Sequence, residues 1–250
     1  MRTAHVPLKN DFTLVGAVGA LTGGGPGPKI ALVYGVPGLG KTDAAKAAAL
    51  DCGAAFIRAN GVMTLSSMLS AICHALGIEP KYRQAAKFND ICECLLAEPR
   101  PLFVDEADYL ARDGRMLDVL RDIHDIAGIP VILVGMDQAD RKLARNRQFA
   151  SRVSQRIEFA PCDMADAAAL AGGLCEVEVA RDLLKALHKK SKGSARLIVV
   201  ALAELERFAK GHGLKRITSK EWGGRPMFLG DKGEAADEAA TAQFFDSQTR

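Results

Sequence analysis

The sequence predicts an α/β chain: a core with a five-stranded parallel sheet, followed by a small all-helical lid. Two observations carry this. Through the first 160 residues, short apolar runs alternate with helix-length amphipathic stripes. After Pro161 the pattern is helical throughout. Strands separated by crossovers of about ten residues or more pair in parallel, because a hairpin needs only a tight turn.

Residues 1–28 read as an N-terminal linker, and 29–161 as the core. "KIALVYG" (29–35) is an apolar run closed by glycine, the signature of a buried strand. "KTDAAKAAALDCG" is alanine-rich and ends at Gly53, a helix with its terminating glycine. "AAFIRA" follows as a strand. "TLSSMLSAICHALG" then sets Leu65, Met68, Leu69, Ile72 and Leu76 at helical spacing. "PLFVDEAD" is a strand with a polar end, and Met116, Leu117, Leu120, Ile123 and Ile126 mark the next helix. "IPVILVG" and "QRIEFA" complete the sheet.

The lid is placed at 162–212. Asp163 is positioned to cap its first helix, "EVEVARDLLKALHKK" reads as the second, and "SARLIVVALAELERFAKG" as the third. In the last of these Leu197, Val200, Ala201, Leu205 and Phe208 are expected on one face. Residues 213–250 read as a tail, and the last twenty, with few large apolar side chains, as disordered.

Composition narrows the class. With 48% hydrophobic and 25% charged residues the chain is that of an ordinary globular protein. A formal net charge of +3 does not announce a nucleic-acid binder, but its distribution is uneven. From Arg181 to Arg225 twelve Lys/Arg face four Asp/Glu, whereas the last twenty residues carry two against five. Six residues from Arg141 to Arg156 are basic and none is acidic, a stretch that asks for an anionic partner. The six cysteines form no CxxC pair and read as small buried hydrophobes of a reducing cytosol. "MRTAHVPLKNDF" lacks the apolar stretch of a signal peptide, and no run reaches the ~20 apolar residues of a membrane span. A cytoplasmic protein without a membrane partner is expected.

Two motifs carry chemistry. "GVPGLGKT", from Gly35 through Val36, Pro37, Gly38, Leu39 and Gly40 to Lys41 and Thr42, fits GxxxxGK[ST] between a strand and a helix. Its glycines let backbone N–H groups wrap a phosphate chain at a helix N-terminus. Lys41 is then aimed at the β- and γ-phosphates of ATP, and the Thr42 hydroxyl at Mg²⁺. "LFVDEAD" supplies the companion: Asp105 at the strand end for the Mg²⁺ shell, and Glu106 to polarise an attacking water. A DEAD-box helicase would need a second motor domain, for which 250 residues leave no room.

Phosphate loop, Asp-Glu strand, five-strand core and helical lid together resemble the AAA+ ATPases over roughly residues 5–212. The resemblance implies two further arginines. "KGSARL" is similar to the family's second sensor, with Arg196 as the residue that meets the γ-phosphate. "SRVSQRIEF" is similar to the arginine-finger segment, with Arg152 acting in trans on a neighbouring subunit and Arg156 or Arg147 in reserve. The family places Asn, Thr or Ser after the fourth strand. Here Gly135, Met136, Asp137 and Gln138 follow it, so Asp137 or Gln138 would take that role and hydrolysis is expected to be slow.

"LVYGVPGLGKT", "FVDEADYL", "IPVILVGMDQ" and "FASRVSQRIEF" further resemble the transposon target-selection ATPases of the phage Mu B type. That implies ATP-dependent helical filaments on duplex DNA, with little sequence preference, and recruitment of a transposase. Phosphate contacts rather than base readout would serve such binding. Arg58, Thr64, Lys81, Arg83 and Lys87, and the run Arg141, Lys142, Arg145 and Arg147, are the candidates. A helicase loader or replication initiator built on the same core is the alternative, and a small-molecule P-loop kinase the third.

Overall fold

The computed structural model describes residues 1–25 and 27–231, so the twenty residues expected to be disordered lie, all but Asp231, outside the described residues. The chain divides into two compact units, Lys9–Ala160 and a second formed by Met1–Leu8 with the chain from Pro161 onward. Among the described residues no helix is long and apolar enough to cross a membrane.

The core unit begins with α1 (Lys9–Thr22), β1 (Ile30–Tyr34), α2 (Lys41–Asp51) and β2 (Ala55–Arg58). Helices α3 (Leu65–Ala75) and α4 (Gln84–Ala97) lead to β3 (Leu102–Asp105) and a 3₁₀ turn (Ala107–Arg112). Then come α5 (Gly114–Ala127), β4 (Val131–Val134), α6 (Ala139–Leu143), α7 (Arg147–Ala150) and β5 (Val153–Glu158). The five strands are parallel in the order β2-β3-β4-β1-β5. Both faces of the sheet are covered, which is why its central strands are apolar without alternation. Ile30, Leu32, Leu102 and Val104 join the core shared with α3, α4 and α5. The intervening Ala31, Val33 and Phe103 face α1 and α2. Chain reversals after β1, β3 and β4 therefore open along one edge of the sheet, the place where such sheets bind ligands.

All five predicted strands form. The linker expected over 1–28 is corrected: α1 places Leu14, Val18 and Leu21 against the alanines of α2 in one core cluster. Asn10 fixes its start, donating from Nδ2 to Ala160 O at 2.8 Å and accepting from Ala160 N at 3.2 Å. Ile126 is half exposed, although the other four predicted residues of its helix are buried. Cys52 is also exposed, against the expectation of burial.

The second unit comprises α8 (Met164–Leu174), β6 (Glu178–Val179), α9 (Arg181–Ser191), α10 (Ala195–Gly211), β7 (Arg216–Ile217) and α11 (Ser219–Trp222). Asp163 does cap α8, its carboxylate accepting from Ala165 N and Asp166 N. Among its described residues the regular elements are helices apart from a two-residue parallel pair, β6 with β7. "EVEV" thus starts as extended chain, and the helix begins only at Arg181. The boundary at 212 is also corrected, because Ile217, Trp222 and Met227 complete this unit's core together with Leu8. The buried face of α10 runs through Ile198, Ala201, Leu202, Leu205 and Ala209, and Val200 is exposed. An almost continuous apolar run offers more than one stripe, and packing against α8 and α9 selects among them.

Candidate functional site

The loop after β1 turns on glycines. Gly35, Gly38 and Gly40 have φ of 148°, 88° and 84°, conformations that side-chain-bearing residues rarely adopt. A Cβ on Gly35 would also meet Phe159 O at 2.9 Å. Leu39, 3% exposed, anchors the loop in the core beneath it, while Val36 and Pro37 remain outside. Gly40 begins α2 without a side-chain cap, which leaves the first-turn N–H groups for an anion. Lys41 Nζ folds back onto Gly35 O (2.7 Å) and Val36 O (2.9 Å), ringing the loop. The Thr42 hydroxyl donates to Asp105 Oδ1 at 3.3 Å, so loop and acid strand meet.

Asp105 ends β3 opposite Arg58, the last residue of β2. It is 2% exposed, and its Oδ2 has no hydrogen-bond partner; Arg58 Nε lies 3.6 Å away. The chain reverses at Glu106, whose φ of 56° is left-handed and costs about 1 kcal/mol for a residue with a Cβ. The Glu106 carboxylate accepts from Arg58 Nη2 at 3.1 Å. Three residues beyond Asp105, Asp108 crosses to the end of β4: Oδ2 accepts from Met136 N at 2.6 Å and Oδ1 pairs with Lys142 Nζ at 3.1 Å. Gly135 makes that crossing possible, since a Cβ there would lie 2.7 Å from the Asp108 carboxylate.

Comparison with known proteins places this geometry. Residues 26–143 match the family model of the AAA domain. The phosphate loop and the acid strand both lie inside that match. The chain is 26% identical over 195 residues to the replication factor C large subunit of Thermofilum pendens, covering 75% of this chain and 42% of that protein. It therefore spans less than half the length of the curated relative it matches. Among solved structures, Cdc6p of Pyrobaculum aerophilum superimposes with a TM-score of 0.64 at 21% identity, covering 88% of this chain and 68% of that one. Orc1 of Aeropyrum pernix in complex with DNA gives 0.59 at 19%, covering 85% and 62%. The RuvB Holliday junction branch migration motor of Thermotoga maritima gives 0.61 at 20%, covering 86% and 67%. At such identities these likenesses establish the fold.

The core concentrates opposed charges. Burial pushes the Lys41 ammonium below its ordinary pKa, while Glu106, Asp108, Asp105 and Asp137 act to raise it. Asp137, exposed in the turn after β4, thus belongs to the same field. Burial pushes the Asp105 carboxyl up, against hydrogen bonds from the Glu106 backbone and Thr42. An orphaned carboxylate oxygen beside a threonine hydroxyl is the hard-oxygen pair that fits Mg²⁺, with Thr42 and Asp105 to hold it. The uncapped α2 terminus and Lys41 suit the phosphates of ATP.

Two predictions follow from this pairing. A carboxyl whose folded pKa is raised favours its protonated form, so ionised Asp105 detracts from stability at neutral pH. Asp105→Asn raises the melting temperature of the nucleotide-free protein at pH 7, less so as pH falls, and removes Mg²⁺-dependent ATP binding. A lowered melting temperature would contradict the burial argument. Arg58 is 58% exposed and paired to both acids. Arg58→Gln releases Glu106 and raises hydrolysis without DNA by about two- to fivefold, the value of an exposed pair. An unchanged steady-state rate would show that the pair restrains nothing.

The basic candidates sort by environment. Arg152 precedes β5 and grips Asp125 of α5, with Nε at 3.1 Å from Oδ1 and Nη2 at 3.2 Å from Oδ2. Arg156 pairs with Asp140 at 2.7 Å. The run from Arg141 to Arg156 is thus compensated at Lys142, Arg152 and Arg156 by this chain's own acids, which corrects the expectation of an uncompensated stretch. Among the described residues Arg141, Arg145 and Arg147 are exposed and their side chains make no hydrogen bond or ion pair. Lys87 is corrected as a DNA contact: it is 6% exposed, its ammonium satisfied by Ser66 O, Ser66 Oγ and Ser70 Oγ. Thr64 caps α3 through Ser67, Lys81 binds Asp90 at 2.7 Å, and Arg83 is exposed where α4 begins. Arg196 stands exposed at the second position of α10 in the other unit.

Sequence reasoning missed Asp108, Asp125 and Asp140 as partners, and Arg58 as a ligand of the acids. The spacing Asp105–Asp108 was visible, but its meaning depends on where β4 ends.

Proposed function

We propose that this protein is an ATP-dependent DNA-binding ATPase of DNA transposition. ATP-bound copies assemble as a helical filament on duplex target DNA with little sequence preference, in the host cytoplasm, and recruit and stimulate a transposase. The observation that carries the reading is the presence in one core of a phosphate loop closed against the buried Asp105 and of three exposed arginines that have no side-chain partner among the described residues. Bound Mg²⁺ would neutralise phosphate charge. Lys41 and the α2 terminus bind the phosphates, Thr42 and Asp105 hold the metal, and Glu106 orients the water and accepts its proton. Asp137 flanks this group, Arg196 serves as the sensor on the helical unit, and Arg152 acts on the neighbouring copy.

Orc1, solved with DNA, and the RuvB branch migration motor share this fold, which supports action on DNA. The likeness to Orc1, Cdc6p and the replication factor C subunit favours a second reading, a replication initiator or helicase loader. The kinase alternative loses ground, because the AAA domain spans phosphate loop and acid strand together. Electron microscopy of the protein with duplex DNA and a slowly hydrolysed ATP analogue separates the readings. Continuous nucleotide-dependent filaments are expected; discrete rings would favour the loader, and indifference to DNA would refute both.

A further inference from the structure

A cleft of about 580 Å³ opens in the core between the start of α5 and the α6–α7 segment, away from the nucleotide loop. Lys142, Arg145 and Arg147 line it together with Asn146 and Gln148. Its one acidic lining residue, Asp118, is already bound by Asn146 Nδ2 at 3.0 Å and by Arg121 at 3.5 Å. Asn146 also caps α7, accepting from Phe149 N at 3.0 Å, so this wall is fixed before any ligand arrives. Arg145 and Arg147 are exposed, and their side chains have no partner among the described residues. Among the described residues no aromatic ring lines the cleft, so they offer nothing for a base to stack on. Planar guanidinium groups match phosphate oxygens, and several cations on a preformed wall suit a polyanion.

The cleft is also wired to the acid strand. Lys142 lines it and at the same time pairs with Asp108, which holds Met136 N at the end of β4. A phosphate seated on the arginines competes with Asp108 for that ammonium.

We propose that this cleft holds the phosphodiester backbone of duplex DNA, with Lys142 exchanging between Asp108 and a bound phosphate and so linking DNA occupancy to the nucleotide site. The proposal rests on the DNA-binding reading above. Arginine without an internal partner and a lining without a base platform favour backbone contact over sequence readout.

The test is fluorescence anisotropy of a labelled duplex with the full chain and an ATP analogue, across roughly 50–200 mM salt. Each lost phosphate contact lowers the slope of log affinity against log salt by about 0.9. The double variant Arg145→Gln, Arg147→Gln is expected to lower it by about 1.8, with an unchanged melting temperature because both side chains are exposed. Lys142→Gln is expected to lower it by about 0.9 and to abolish the change that duplex causes in ATP hydrolysis. If the wild type binds and the double variant keeps its slope, the cleft is not the DNA site although the DNA reading stands. A double variant that keeps its slope but no longer self-associates in sedimentation makes the cleft a contact between copies and overturns the proposal. If the wild type binds no duplex, the DNA reading and the proposal fall together.

Discussion

Glu106→Gln lowers the single-turnover rate of ATP hydrolysis by roughly two to four orders of magnitude, the usual share of a general base, with nucleotide affinity within about twofold. The substitution keeps the shape of the side chain and an oxygen for Arg58 Nη2, but removes the basicity that a water needs. Glu106 suits this role because of where its backbone points. The left-handed reversal after β3 separates it from Asp105, which is buried and turned toward Thr42. Two adjacent carboxylates are thereby turned apart, which suits the division proposed for them, one toward metal and one toward water. Fluorescent-nucleotide titration checks the binding half. A rate loss below tenfold would move the base elsewhere.

Arg152→Ala abolishes hydrolysis by the assembled protein, by about a thousandfold or more, while ATP binding by the isolated subunit is nearly unchanged. In the folded chain Arg152 is held by Asp125, and both side chains are roughly 40% exposed. An exposed pair of this kind contributes about 0.2–1 kcal/mol. A rate factor of 10³ to 10⁵ corresponds to about 4–7 kcal/mol, so Asp125 is too weak a partner to keep Arg152 from a neighbour's γ-phosphate. Asp125→Ala accordingly has a small effect. Mixing Arg152→Ala with Glu106→Gln distinguishes trans from cis action, because some interfaces then unite an intact glutamate with an intact arginine. Recovery of hydrolysis in the mixture is expected. A mixture as inactive as its components, or isolated subunits that hydrolyse equally without Arg152, would refute action between copies.

The nucleotide half of the site was legible because its chemistry is local. A phosphate loop is built from consecutive residues, and strand burial shows as an apolar run ending at Asp105. Helix α1 was hidden by Gly16 and Gly19, whose weak propensity masks the Leu14, Val18, Leu21 stripe that packs on α2. By residue type alone Lys87 reads as a surface cation. Its burial depends on two serines of another helix, Ser66 and Ser70, that satisfy the ammonium.

The basic run from Arg141 to Arg156 marks the division most clearly. Its composition announced a need for anions. Which anions was a matter of distance through space: Asp108 for Lys142, Asp140 for Arg156 and Asp125 for Arg152, 34, 16 and 27 residues away along the chain. Residue order sets periodicity, loop glycines and strand ends, because these depend on neighbours a few positions apart. Charge pairing falls off over ångströms, so only the folded sheet could settle that Arg141, Arg145 and Arg147 are the members of this run without a side-chain partner among the described residues.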